Sequence, residues 1–222
     1  MKKITLTICT AAFLLFACNS DKKTDEGKTD KDKMSGTGEK MDEKMDEKMP
    51  MMDSATMMKN WMSYMSAGEM HALLANCEGY WNADIIMWDA PGAPPNKSTG
   101  AAVNKMIMGG RYLEGTNSGN MMGMPFEGRS ITAYDNGKKV FINSWIDNMG
   151  TGIMNMEGTW DDASKSINFK GKGMNPMTMK ECDYRETFKM VDDNTQMMEM
   201  FGPSPADGKE MKMMEIIFTR KK

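Results

Sequence analysis

Few residues in this chain are equipped for chemistry. One histidine, His71, and four cysteines stand among 31 methionines. His71 lies beside Leu74 on a short apolar face with no candidate nucleophile near it, so a surface or capping role is expected rather than a general base. Neither H-x-x-x-H nor C-x-x-C occurs, so a zinc site is not expected. No glycine-rich phosphate loop sits at a strand–helix junction. Acidic residues are plentiful, but no pair can be assigned the spacing that glycoside hydrolysis requires. A net charge of −3 without a basic patch makes nucleic acid a poor partner. The expectation is no catalytic residue, no metal and no cofactor.

The thioethers are the exception to weigh. They are soft ligands that suit Cu(I). Paired spacings occur at Met41/Met45/Met49, Met106/Met108, Met122/Met124, Met154/Met156 and Met211/Met213. On a strand, however, residues i and i+2 share a face and simply line a core. Methionine also fills irregular space well, and a single histidine removes the usual partner ligand. Packing is the preferred reading, with copper left open and centred on the N-terminal tether.

The elements that must position these residues begin with a leader. Lys2 and Lys3 precede an apolar run from Ile4 to Ala17, too short to span about 30 Å of hydrocarbon as a helix. It fits a secretory signal over residues 1–17. Leu15-Phe16-Ala17-Cys18 resembles a bacterial lipobox, with Cys18 as the lipidated residue. The serine-containing, acidic stretch after it resembles a surface-export signal. The expected location is the cell envelope, with the chain held on the outer membrane by acyl chains that each gain about 0.8 kcal/mol per buried CH₂. Residues 18–65 read as a charged, Met-rich, disordered tether, in which 51–65 could form a short amphipathic helix. Ser66 and Glu69 have capping-box spacing ahead of Met70, Leu73, Leu74 and Cys77, an apolar helix face that Gly79 ends.

From Gly79 the period changes to two. Ten strands are expected, at 80–88, 98–108, 110–118, 126–134, 138–147, 152–160, 165–173, 179–191, 195–201 and 210–220. Asp135-Asn136-Gly137-Lys138 offers Asn-Gly for a tight type I′ turn. Short connections leave no room for crossover helices. The expected fold for 66–222 is all-β: an antiparallel up-and-down barrel of about ten strands, preceded by a short helix.

HALLANCEGYWNADIIMWDAPGAPP, MIMGGRYLEG, MMGMPFEG, TAYDNGKKVFINSWIDNMGTGIMNMEGTW and MEIIFTRKK closely resemble blocks of the bacterial family known as domain of unknown function 1579. The resemblance covers roughly residues 68–222 and implies a calycin-like barrel, similar in shape to lipocalins and nitrobindins. It implies barrel closure by Trp81, in a G-x-W after the short helix, with Arg220 stacked over the indole. Cys77 and Cys182 depart from the family pattern. With Cys9 lost and Cys18 lipidated they are the two left over, and in an oxidising compartment a disulfide between them is expected.

Candidate ligand contacts follow from the barrel. Met121, Met122 and Met124 of MMGMPFEG would form an adaptable apolar rim at its mouth. Arg111, Trp145, Glu157, Arg185 and Glu215 would orient an amphipathic ligand if they face inward. The plainer alternative puts the charged ones on a solvated outer face, where ion pairs contribute little. Three functions stay open: an envelope barrel binding a small apolar or amphipathic ligand, a Met-rich copper handler, and a structural lipoprotein without ligand. Oligomeric state is not legible.

Overall fold

The computed structural model describes residues 52–222; the leader, Cys18 and the Met41/Met45/Met49 repeat lie outside them. α1 (Ser54–Met65) begins where the Asp53 carboxylate accepts the N–H groups of Ala55 and Thr56, both at 3.0 Å, satisfying donors that a helix start leaves orphaned. No residue of α1 is buried. Its last carbonyls are satisfied from the barrel: Asn136 Nδ2 donates to those of Ser63, Tyr64 and Ser66, and Arg111 Nε donates to that of Met65 at 2.8 Å.

α2 (Glu69–Ala75) differs from the expected capping box. Its N-cap is Gly68, and His71 Nδ1 accepts the Gly68 N–H at 3.1 Å, the role expected of Glu69. The Ser66 hydroxyl turns back to the Met62 carbonyl at 2.6 Å and closes α1. Local side-chain bonding at a helix end competes with capping of the next helix, and here it wins.

Ten strands follow: β1 (Gly79–Met87), β2 (Asn96–Ile107), β3 (Tyr112–Met121), β4 (Met124–Asp135), β5 (Val140–Asp147), β6 (Met154–Asp161), β7 (Ser166–Asn175), β8 (Lys180–Asp192), β9 (Thr195–Pro203) and β10 (Glu210–Arg220). Each pairs antiparallel with its neighbours in sequence, and β1 pairs with β10 to close the barrel. Closure leaves no edge strand unpaired. The seam runs from Trp81↔Arg220 to Met87↔Met214.

Burial alternates along β1: Trp81 and Ala83 are buried while Tyr80, Asn82 and Asp84 are exposed. Following cross-strand partners around the barrel from Trp81 assigns the inward face of every strand. α2 packs at the end where β1 starts, so that end is the base. The other end, ringed by the turns at 88–95, 122–123, 148–153, 176–179 and 204–209, is the mouth.

Three hairpins share one turn chemistry. Asp135, Asp161 and Asn175 each accept backbone N–H groups two or three residues on, and Lys139, Lys165 and Met179 then take positive φ. The Asn-Gly type I′ turn expected at 136–137 is thus replaced by a four-residue connection whose left-handed position is Lys139. That geometry turns the Asn136 amide out to cap α1. A two-residue turn does form in MMGMPFEG: Met122 and Gly123 have φ of 52° and 81°, the primed pattern that suits twisted strands.

Candidate functional site

The base is a sealed plate. Trp81 is 1% exposed, and its indole N–H donates to the Cys77 carbonyl at 3.0 Å, which Asn104 Nδ2 also reaches at 3.2 Å. The Arg220 guanidinium lies 4.2 Å over the Trp81 ring, a contact of about 0.5–2 kcal/mol. It also donates to the carbonyls of Asp193, Asn76 and Glu78. Gly79 has φ of 123°, and a Cβ there would stand 2.7 Å from Arg220 Nη1; only glycine lets the guanidinium in. Leu113, Phe141, Met156, Ile167 and Phe169 fill the inward face above this plate and are buried. His71 is buried edge-on to Tyr134. Burial holds its imidazole below the ordinary range, the Arg111 charge adds to this, and a backbone hydrogen bond at Tyr134 opposes it.

The expected disulfide is corrected. Cys77 and Cys182 are both free. β8 runs from mouth to base, so Cys182, paired with Gly173 near the mouth, is separated from Cys77 by most of the barrel height, on the order of 20 Å. A disulfide needs Cα atoms within about 7 Å. Burial pushes the Cys77 thiol up to about 12, which removes its nucleophilic form at neutral pH.

Towards the mouth the inward face beyond the buried cluster is half-buried, as it also is at Met106, Tyr134, Trp160 and Met190 beside the base turns. Ile85, Ser98, Asn117, Ser130, Asn143, Trp145, Met154, Tyr184, Glu186, Met198, Met200, Met214 and Ile216 all keep partial exposure. Since their register turns them inward, that exposure is to a lumen. The lumen has two chemistries. β2 to β5 line one side with Ser98, Asn117, Ser130 and Asn143, interspersed with glycine; β6 to β10 line the other with thioethers and branched or aromatic groups.

Trp145 stands at the boundary. Its ring stacks on Phe126 with centroids 6.4 Å apart, and its N–H donates to Asp147 at 2.8 Å. A Cβ on Gly128 would run into the indole, so the seat depends on that glycine.

Met121 and Met124 form the last inward pair of β3 and β4, while Met122 projects from the turn, 81% exposed. The four charged candidates are not in the lumen. Arg111 holds α1, Glu157 pairs with Lys138 outside β6, Arg185 pairs with Glu210 and lies over Phe201, and Glu215 shares Lys212 with Glu199. Glu157, Arg185 and Glu215 have the outward parity of their strands, and Arg111 lies in the turn before β3, so no internal Arg–Glu network forms. Among the described Met pairs only Met154/Met156 share the inward face; Met108 and Met122 sit in turns and Met213 in a bulge.

The reading from sequence missed Glu186. It faces inward between Phe169 and Met200, and burial raises its carboxyl to about 7. Alternation in KECDYRETFKM could have found it: Cys182, Tyr184, Glu186, Phe188 and Met190 fall on one face. Two further clefts lie at the base, one of about 700 Å³ beside Arg220 and Asp193 and one of about 550 Å³ under α1 beside Tyr64 and Tyr134. Arg220 in the first and Asn136 in the second are already occupied with carbonyls, so the lumen is the better candidate site.

A sequence profile described as a protein of unknown function (DUF1579) matches residues 66–220. Among solved structures, Rv2717c from M. tuberculosis is 14% identical, with a TM-score of 0.54 over 71% of this chain and 100% of that one. The S-type phycobiliprotein lyase CPES from Guillardia theta is 7% identical, with a TM-score of 0.49 over 70% and 94%. The first of these likenesses bears on the barrel fold alone. No curated protein matches the chain.

Proposed function

The chain belongs to the DUF1579 family of proteins of unknown function, and from that premise we propose that it is a binding protein, not an enzyme, whose barrel holds a small amphipathic ligand. One observation carries the reading. The inward face holds a buried cluster of Leu113, Phe141, Met156, Ile167 and Phe169, and the half-buried inward positions beyond it towards the mouth divide into a polar and a thioether-lined side. Such a lumen suits a ligand with an apolar body and a few polar groups. Methionine lining gives adaptable contact with apolar surface.

The same proposal places the protein in the cell envelope, tethered through a lipid on Cys18. Support comes from the Leu15-Phe16-Ala17-Cys18 sequence and from the length of charged chain between Cys18 and α1. Among the described residues no helix is long and apolar enough to cross a membrane.

Native mass spectrometry of protein purified without detergent tests the ligand reading. A bound apolar small molecule, released by unfolding, is the expected result. Protein at its bare mass that also takes up no alkyl alcohol would contradict it. Cys18→Ser is expected to move the protein from the membrane fraction to the soluble fraction; unchanged membrane retention would remove the anchor.

A further inference from the structure

Glu186 is the one ionisable carboxylate deep in the lumen. Its cross-strand partners are Phe169 and Met200, and its neighbours on the inward face of β8 are Tyr184 and Phe188. None of these carries a positive charge. No hydrogen bond or ion pair to its side chain forms among the described residues; burial is the sole cause of its raised carboxyl. Every described side-chain polar atom that is fully sealed from solvent has a partner, so the Glu186 oxygens open onto the lumen. This reconciles two facts: the side chain keeps some exposure, yet protein surrounds it on all sides.

The remaining charges on the inward face are far from it. Asp147 and Lys180 are the terminal residues of β5 and β8 at the rim, and Asp147 is engaged by Trp145 and the Met149 N–H. Lys180 is six residues along the strand, roughly 20 Å. Arg220 is at the base, bonded to three carbonyls. An unpaired carboxylate among thioethers and aromatic rings is unfavourable unless something else supplies a donor.

We propose that Glu186 is the recognition group of the lumen and that the ligand carries a basic nitrogen on an apolar body, whereas carboxylate-bearing amphiphiles are rejected. The proposal rests on the ligand-binding reading above and adds the ligand's charge. A protonated amine at Glu186 gains a charge-assisted hydrogen bond, its alkyl part lies along Met198, Met200 and Met214, and the Ser130 and Asn143 side accepts further polar groups. A carboxylate in the same place would face a like charge with no cation to offset it.

The test is calorimetric titration of the full-length chain at pH 8 with decylamine, decanol and decanoate below their micellar concentrations. The expected order is decylamine tighter than decanol by about tenfold or more, with decanoate weakest. Glu186→Gln is expected to bring decylamine to the level of decanol, whereas Glu157→Gln on the outer face keeps the amine preference. Decanoate binding as well as decylamine, or an amine preference that survives Glu186→Gln, would overturn the proposal. Decanol binding without any amine preference would remove this inference alone; no binding by any of the three would remove the ligand reading with it.

Discussion

The two halves of the barrel are built from the same strands and the same alternation, yet they are different materials. At the base, Trp81, Phe141, Ile167 and Phe169 are 2% exposed or less, and the Trp81 indole N–H and the Arg220 guanidinium beside them are bonded to backbone carbonyls. Towards the mouth, methionine, serine and asparagine take the inward positions and leave space. Stability belongs to the first half and adaptability to the second. Cavity-forming changes should hurt only where packing is complete.

The largest effect should therefore come from the base. Phe141→Ala is expected to lower unfolding free energy by about 3–5 kcal/mol, read by denaturant titration, whereas Met214→Ala in the mouth half should lower it by about 1 kcal/mol or less. Equal losses at the two sites would mean that the mouth half is packed as closely as the base.

Next comes pH. The Glu186 carboxyl is raised from 4.5 to about 7 in the folded state. Its protonated form is favoured in the native protein, so its contribution to stability is full below pH 4.5 and is lost as pH rises through 7. The loss is at most about 3 kcal/mol. His71 acts in the opposite sense, because its folded value is lowered and the native state is penalised as pH falls through the imidazole range. The difference between wild type and Glu186→Gln isolates the carboxylate: stability of the wild type relative to the variant should fall between pH 4.5 and 7. A flat difference would show that Glu186 has an ordinary solvated environment.

Gly128→Ala is a milder probe of the mouth. The added methyl displaces the Trp145 indole, with an expected penalty of about 1–3 kcal/mol and a shifted tryptophan emission. Unchanged emission would show that the indole has another seat. The smallest effect should be at α1. Asn136→Ala removes three hydrogen bonds to its final carbonyls. Faster amide exchange confined to residues 54–65 is expected, with no change in the barrel's unfolding midpoint.

The base was legible in the sequence and the mouth only in part. Periodicity of two and regular turn residues indicated ten strands, and ten form. Trp81 and Arg220, which the family resemblance paired, are the pair that meets across the seam. Alternation says which residues share a face but not which face is inward, so Arg111, Glu157, Arg185 and Glu215 could be weighed as lumen groups until the register from Trp81 turned the last three outward and α1 claimed the first. The Cys77–Cys182 pairing failed because leftover thiols were matched by number, and number carries no information about barrel height. The Asn-Gly turn failed because Asp135 offered its own side chain to the backbone. Glu186 was passed over among many acidic residues because only its cross-strand neighbours single it out.

The methionines themselves offer the most direct test of the division between halves. With methyl-labelled methionine, addition of decanol should shift the resonances of Met200 and Met214 in the mouth half. Met156, buried at the base, and Met57, Met58 and Met62, exposed on α1, should stay in place. Shifts confined to α1 or to the exposed turn residue Met122, with the inward mouth residues unmoved, would contradict the existence of a binding lumen.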